Sequence, residues 1–128
     1  MKINGYPIVL QLTSYFKAPT QTAVILHTPT LMDGQEIMEN YDTATVCVPS
    51  IILQPGEIIL RNHDYHEPVF RFMIDNGFVK EPHRAITSGF VQLQVCRKTP
   101  LFTQMEENNK NKLVWNKADI DDLRKKLE

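Results

Sequence analysis

Apolar and polar residues alternate in short runs through the first half of the chain, and apolar residues recur at helical spacing in two later places. Pro7 to Phe16 is rich in β-branched and aromatic types and predicts a strand. Thr22 to Thr28 predicts a second, with Lys17-Ala18-Pro19-Thr20 as the hairpin loop between them. Thr43 to Val48 alternates and stops at Pro49, which cannot donate to a ladder. Gln54-Pro55-Gly56-Glu57 places Pro and Gly where a type II turn wants them, and Glu57 to Arg61 follows as a short strand. Pro29 to Asn40 carries a turn signal at Asp33-Gly34, but its pattern leaves open a helical turn or a wandering strand.

The period then changes. Val69, Phe70, Met73 and Ile74 share one face of a helix of about ten residues. Asp64 and Glu67 have the spacing of a capping box, and Pro68 fits the first turn. Gly77 is the expected left-handed stop, with Phe78 packing back on Met73. Ser88-Gly89 leads into a strand from Phe90 to Arg97, whose apolar face is Val91, Leu93 and Val95. Lys98 to Lys112 is polar and reads as an exposed loop, with Leu101, Phe102 and Met105 available to anchor its start. A terminal helix follows. Asn116 is a good N-cap, Trp115 can staple Ile120, and acidic residues lead while Arg124, Lys125 and Lys126 trail, as the helix dipole favours. Its stripe of Ile120, Leu123 and Leu127 is narrow, which suits docking on a second copy, as a homodimer, or on a partner.

These elements predict an α+β fold: an antiparallel sheet of about five strands with one packed helix, and a C-terminal helix. Residues 1–98 form the core domain, 99–112 a flexible loop or linker, and 113–128 the helix. The expected core is Val9, Leu12, Val24, Leu26, Val46, Val48, Ile59, Val69, Met73, Val91, Leu93 and Val95. At 128 residues one core suffices without staples. The net charge of -1 argues against a general nucleic-acid binder, which shows a strong basic excess. Cys47 and Cys96 lie in separate strand-like runs and read as free thiols behaving as small hydrophobes. Met1 to Tyr6 does not look like a secretory signal, and no apolar run approaches the ~20 residues that span a bilayer. A cytoplasmic protein with no membrane partner is the expectation.

Two clusters could carry chemistry. His63-Asp64-Tyr65-His66-Glu67 is dense in metal ligands and acid–base groups, but it crosses a strand-to-helix junction and lacks the four-residue His spacing of zinc hydrolases. Solvated histidines beside capping carboxylates are the alternative, and no metal or cofactor is expected. His83-Arg84 belongs to a basic group with Arg61, Arg71, Lys80, Arg97 and Lys98. If His83 and Arg84 approach the helix start near Asp64, then Arg61, His66, His83, Arg84 and Arg97 would line a pocket for a nucleotide-like anion. Otherwise these are surface charges, or partners of Glu57, Asp75 and Glu81. No nucleophile-and-base arrangement stands out, so no catalytic residue is assigned. An acid–base nuclease on His63, His66 or His83 is the remaining enzymatic reading.

Leu53-Gln54-Pro55-Gly56-Glu57, Asn62 to Asn76, Gly77-Phe78-Val79, His83-Arg84 and Ser88-Gly89-Phe90-Val91 through Cys96-Arg97 follow one another in an order with a parallel elsewhere. Over about Thr43 to Arg97 the chain resembles a family of small proteins, a domain of unknown function found in phages and conjugative elements. The chain departs from that pattern at Pro68 and at His83, where the family often has Gly. The resemblance implies a mobile-element accessory protein that antagonises a host defence system by binding a host protein, or sequesters a signalling nucleotide, rather than a housekeeping enzyme.

Overall fold

The structure is a computed structural model and describes residues 1–109, 112 and 114–128. Among them are eight strands in three small antiparallel sheets, and three helices. The α+β class is as the pattern predicts, but the one sheet of about five strands is divided. A hairpin of β1 (Lys2–Ile3) and β2 (Tyr6–Pro7) opens the chain. Then β3 (Val9–Ser14), β4 (Thr22–Met32) and β5 (Gln35–Thr43) form one meander. The third sheet has the order β6-β8-β7, from β6 (Glu57–Leu60), β7 (Arg84–Ser88) and β8 (Val91–Arg97).

The ambiguous Pro29 to Asn40 stretch is strand on both sides of a tight turn. Met32 pairs with Gln35, and Asp33 and Gly34 have φ of 52° and 78°. Two positive φ values make a type I′ turn, which is why Asp-Gly is found here. The hairpin outgrows its sheet, because β3 reaches only as far as the pair Val9–His27. Beyond that pair, β4 and β5 continue as a two-stranded arm. Tyr41 marks the base of the arm as the unpaired residue of a bulge between the pairs Leu26–Asp42 and His27–Asn40.

In the third sheet β6 and the adjoining Val95 and Cys96 of β8 are buried on both faces, whereas β7 is largely exposed. Ile58, Leu60 and Cys96 point into the main core. Ile59, Leu93 and Val95 form a second cluster with Val46, Val48, Ile51 and Leu53, which cross over them. This explains why β6 reads as an unbroken apolar run after Glu57. It also corrects the strand expected over Thr43 to Val48: after β5 ends at Thr43, the chain is held by scattered bonds instead of a ladder. The pair Thr45–Leu60 is an isolated bridge, the Thr45 hydroxyl accepts from Val24 N–H at 3.1 Å, and the Gln21 amide bonds both backbone groups of Val48 at 2.9 and 3.2 Å.

The main core gathers Leu10, Leu12, Val24 and Leu26 from the meander against α1 (Glu67–Asp75), α2 (Pro100–Asn108) and α3 (Lys117–Leu127). Gly77 stops α1 as expected. Phe78 N–H donates to Met73 O and Gly77 N–H to Ile74 O, both at 3.0 Å, the two bonds of a Schellman motif. The start of α1 differs from expectation. Asp64 and Glu67 make no capping box; Asp64 opens a 3₁₀ turn with φ of 53°, and α1 begins only at Glu67, with no side-chain cap. Two consecutive turns of different pitch displace the two carboxylates from the reciprocal geometry that the box needs.

The expected linker is a packed element. Thr99 caps α2, its hydroxyl accepting from Phe102 N–H at 3.3 Å, and Pro100 sits in the first turn. Leu101, Phe102 and Met105 are buried. Asn109, which ends α2, donates to Leu12 O at 2.7 Å, and Glu106 accepts from Thr22 and from Lys98. Of the remaining linker residues, Lys110 and Asn111 lie outside the described residues, as does Leu113 of the expected 113–128 segment. The terminal helix is where it was expected, with a reciprocal Asn116–Asp119 box. However, Ile120 and Leu123 are buried in the chain's own core, so the stripe offered to a partner is largely covered. Trp115 also strands itself against β3, exchanging both backbone bonds with Leu10 at 2.9 and 2.7 Å.

Candidate functional site

The five residues nominated for an anion site fall into two groups at opposite ends of β6. At the Leu60 end, Asp42 of β5 is the centre. Its carboxylate accepts from Arg61 Nη2 at 3.1 Å, from His66 Nδ1 at 2.8 Å and from Thr43 N–H at 2.8 Å. Arg61 also donates to Thr43 O from Nε and Nη2, at 3.2 and 2.9 Å. His66 is buried; Tyr65 lies against its ring at 4.3 Å and His63 meets it edge-on at 5.5 Å. A carboxylate on Nδ1 fixes the imidazole's orientation, and the same bond ties the 3₁₀ turn to the end of β5.

At the other end, Glu57 is the centre. Gly56, with φ of 82°, completes the type II turn that delivers Glu57 to the first position of β6. The Glu57 side chain is fully buried. It accepts from Arg84 Nε and Nη2 at 3.1 and 2.8 Å, from His83 Nε2 at 2.6 Å and from Gln54 N–H at 2.7 Å. The two-pronged Arg84 contact is the fork geometry that suits a carboxylate. Arg84 is the largest influence holding Glu57 down at about 2, with Gln54 N–H and His83 adding to it against burial, which pushes the other way. Arg97 is the cross-strand neighbour of Glu57 and is exposed.

His83 and Arg84 therefore turn to Glu57, not to the helix start near Asp64. Four residues of strand separate the two groups, about 13 Å at ~3.3 Å each. Arg71 pairs with Glu81 at 3.0 Å and stands 3.6 Å from Glu67. The alternative given by the sequence, partnership with Glu57 and Glu81, thus describes these contacts. Asp42 is the central residue that sequence reasoning missed, because it lies just past the stretch whose structure the pattern left open. Glu57 had a visible signal: a lone carboxylate heading an apolar strand directly after a Pro-Gly turn.

Clefts of about 460, 390 and 340 Å³ occur elsewhere, between α2 and α3, beside the end of α3, and between the first hairpin and α1, and none includes a nominated residue. No group of three His, Cys, Asp or Glu among the described residues is placed to hold a metal ion. Cys47 and Cys96 are both free, and burial pushes the Cys96 thiol up to about 12, which keeps it protonated and unreactive. Among the described residues no helix is long and apolar enough to cross a membrane.

Comparison with family models, curated proteins and solved structures finds no match to this chain.

Proposed function

We propose that this chain is a non-catalytic binding protein that works by engaging another protein. In line with its resemblance over Thr43 to Arg97, we place it among the accessory proteins of phages and mobile elements, acting in the bacterial cytoplasm on a host protein of a defence system. The observation that carries the reading is how the molecule distributes its polar and apolar groups. Arg61 and His66 are used by Asp42, and His83 and Arg84 by Glu57. Meanwhile Ile52, Phe90 and Leu31 stand 92%, 107% and 77% exposed. Charges satisfied within the chain and large apolar side chains left in water support a surface that meets protein over a pocket that holds a small anion.

Thermal-shift measurement against nucleotides and divalent metals, paired with affinity capture from a bacterial lysate, tests this. A ligand at 100 times its dissociation constant adds about 2.7 kcal/mol of stability. The expected result is no shift with either ligand class and stoichiometric capture of one protein. A shift with nucleotides would favour sequestration through Arg61, His66, His83, Arg84 and Arg97. A shift with metals would favour the hydrolase reading, and an empty capture would count against partner binding altogether.

A further inference from the structure

The arm of β4 and β5 is under-supported for its length. From Thr28 to Glu39 it is two strands wide, and isolated two-stranded hairpins are marginal in water. Both faces carry partly exposed apolar side chains: Leu31 and Met38 on one, Met32 and Ile37 on the other. Among the described residues, no strand pairs with the outer edge of β5 over 35–40.

The register says which backbone groups that edge presents. Met32 and Gln35 close a two-residue turn and so exchange both hydrogen bonds, as Thr30 and Ile37 do two residues later. The alternate pairs, Leu31–Glu36 between them and Pro29–Met38 one step beyond, are non-bonded, so the N–H and C=O of Glu36 and Met38 point away from β4. Pro29 fits this register, since it has no N–H to give and its nitrogen faces the side that β3 has already vacated.

The charge on this edge has one sign. No Lys or Arg occurs between Lys17 and Arg61, whereas Asp33, Glu36 and Glu39 all lie on the arm. None of these three carboxylates forms an ion pair among the described residues. Along β5 the acids bracket Ile37 and Met38. A second β5 laid on this edge would gather the Glu36 and Glu39 carboxylates of both copies with no Lys or Arg among them, and clustered like charge on neighbouring strands disfavours self-pairing.

We infer that the outer edge of β5 over 35–40 docks an extended segment of another protein in which two apolar residues lie between two basic ones, matching the order Glu36-Ile37-Met38-Glu39. That segment adds a strand by main-chain pairing, with its cations opposite Glu36 and Glu39 and its apolar residues opposite Ile37 and Met38. The inference rests on the binding-protein reading and gives it an edge and a partner chemistry.

The probe is a short synthetic peptide built on Lys-Val-Val-Lys, with the same peptide carrying Glu in place of Lys as control. Binding is read by hydrogen exchange of the Glu36 and Met38 amides. The Lys peptide is expected to protect both amides, and to bind about tenfold or more weakly when salt rises from about 0.05 to about 0.5 M. Met38→Pro removes one outward donor without touching the β4 ladder, and should weaken binding about tenfold while the fold persists. Met38→Ala should change binding little. If Met38→Pro fails to fold, the pair Glu36→Lys and Glu39→Lys decides the matter, since it should exchange the preference to the Glu peptide.

No protection at about 1 mM peptide, equal binding of the Glu peptide, or binding untouched by Met38→Pro in a folded protein overturns the inference. A wild-type dimer that Met38→Pro dissolves would also overturn it, because the occupant would then be a second copy. Lysate capture that is equal for wild type and Met38→Pro leaves partner binding standing and removes this edge from it. Capture that is empty for both removes the binding reading itself.

Discussion

Glu57 fastens two segments with one carboxylate: the Gln54 turn before it, and the adjacent His83 and Arg84 from the far side of the sheet. Such a group contributes most where it is charged. Its folded pKa is about 2 against an ordinary 4.5, so its contribution is complete above pH 4.5 and is lost as pH falls from there toward 2. Glu57→Gln keeps the shape and removes the charge. At neutral pH it is expected to cost about 2 kcal/mol, since charge-assisted hydrogen bonds weaken while Arg84 and His83 regain water. Below pH 4.5 the variant should be flatter in pH than the wild type. Urea unfolding of both proteins at pH 7, 4 and 3 checks this; parallel curves at all three values would mean that Glu57 is not the group that senses acid.

At the scale of elements, α2 separates the linker reading from the observed packing. Phe102→Ala is expected to destabilise by about 3–5 kcal/mol, as for a fully buried aromatic, whereas a residue of a flexible linker would cost almost nothing. Equilibrium denaturation measures it. The signal for α2 was in the sequence: Thr99-Pro100 is a helix start, and Leu101, Phe102 and Met105 share a face. The polar run that follows, from Glu106 on, outweighed that start because composition averages over exposed residues and three apolar contacts do not. The core strands were legible where one face is buried, as with Leu10 and Leu12, because alternation survives there. They were illegible over 44–54, where single side-chain bonds from Gln21 and Thr45 replace a ladder and leave no period to read. For the candidate site, the basic residues were visible but their convergence was not. Asp42 and His66 are distant in sequence, and only the meander brings them together.

Across the whole molecule, support is uneven. In the third sheet β6 and the adjoining part of β8 are covered on both faces, while beyond Val9 the strand β4 is paired on one side only. Amides of Thr30 and Ile37 are therefore expected to exchange markedly faster than those of Leu93 and Val95, although both sets sit in hydrogen-bonded ladders. Native-state hydrogen exchange followed by mass spectrometry or NMR resolves the two, and equal protection would mean that the arm is braced by something other than its own pairing. The Trp115–Leu10 bridge has a different consequence, one of timing. During synthesis the first long strand leaves the ribosome early, yet its outer rim is sealed only when a residue from the far end of the chain arrives. Until then β3 is an open template for pairing with other nascent chains. The rim of β3 is thus closed by a residue made long after it, and a chain halted shortly before Trp115 would carry almost every residue of the main core and still lack the strap that keeps it apart from its neighbours.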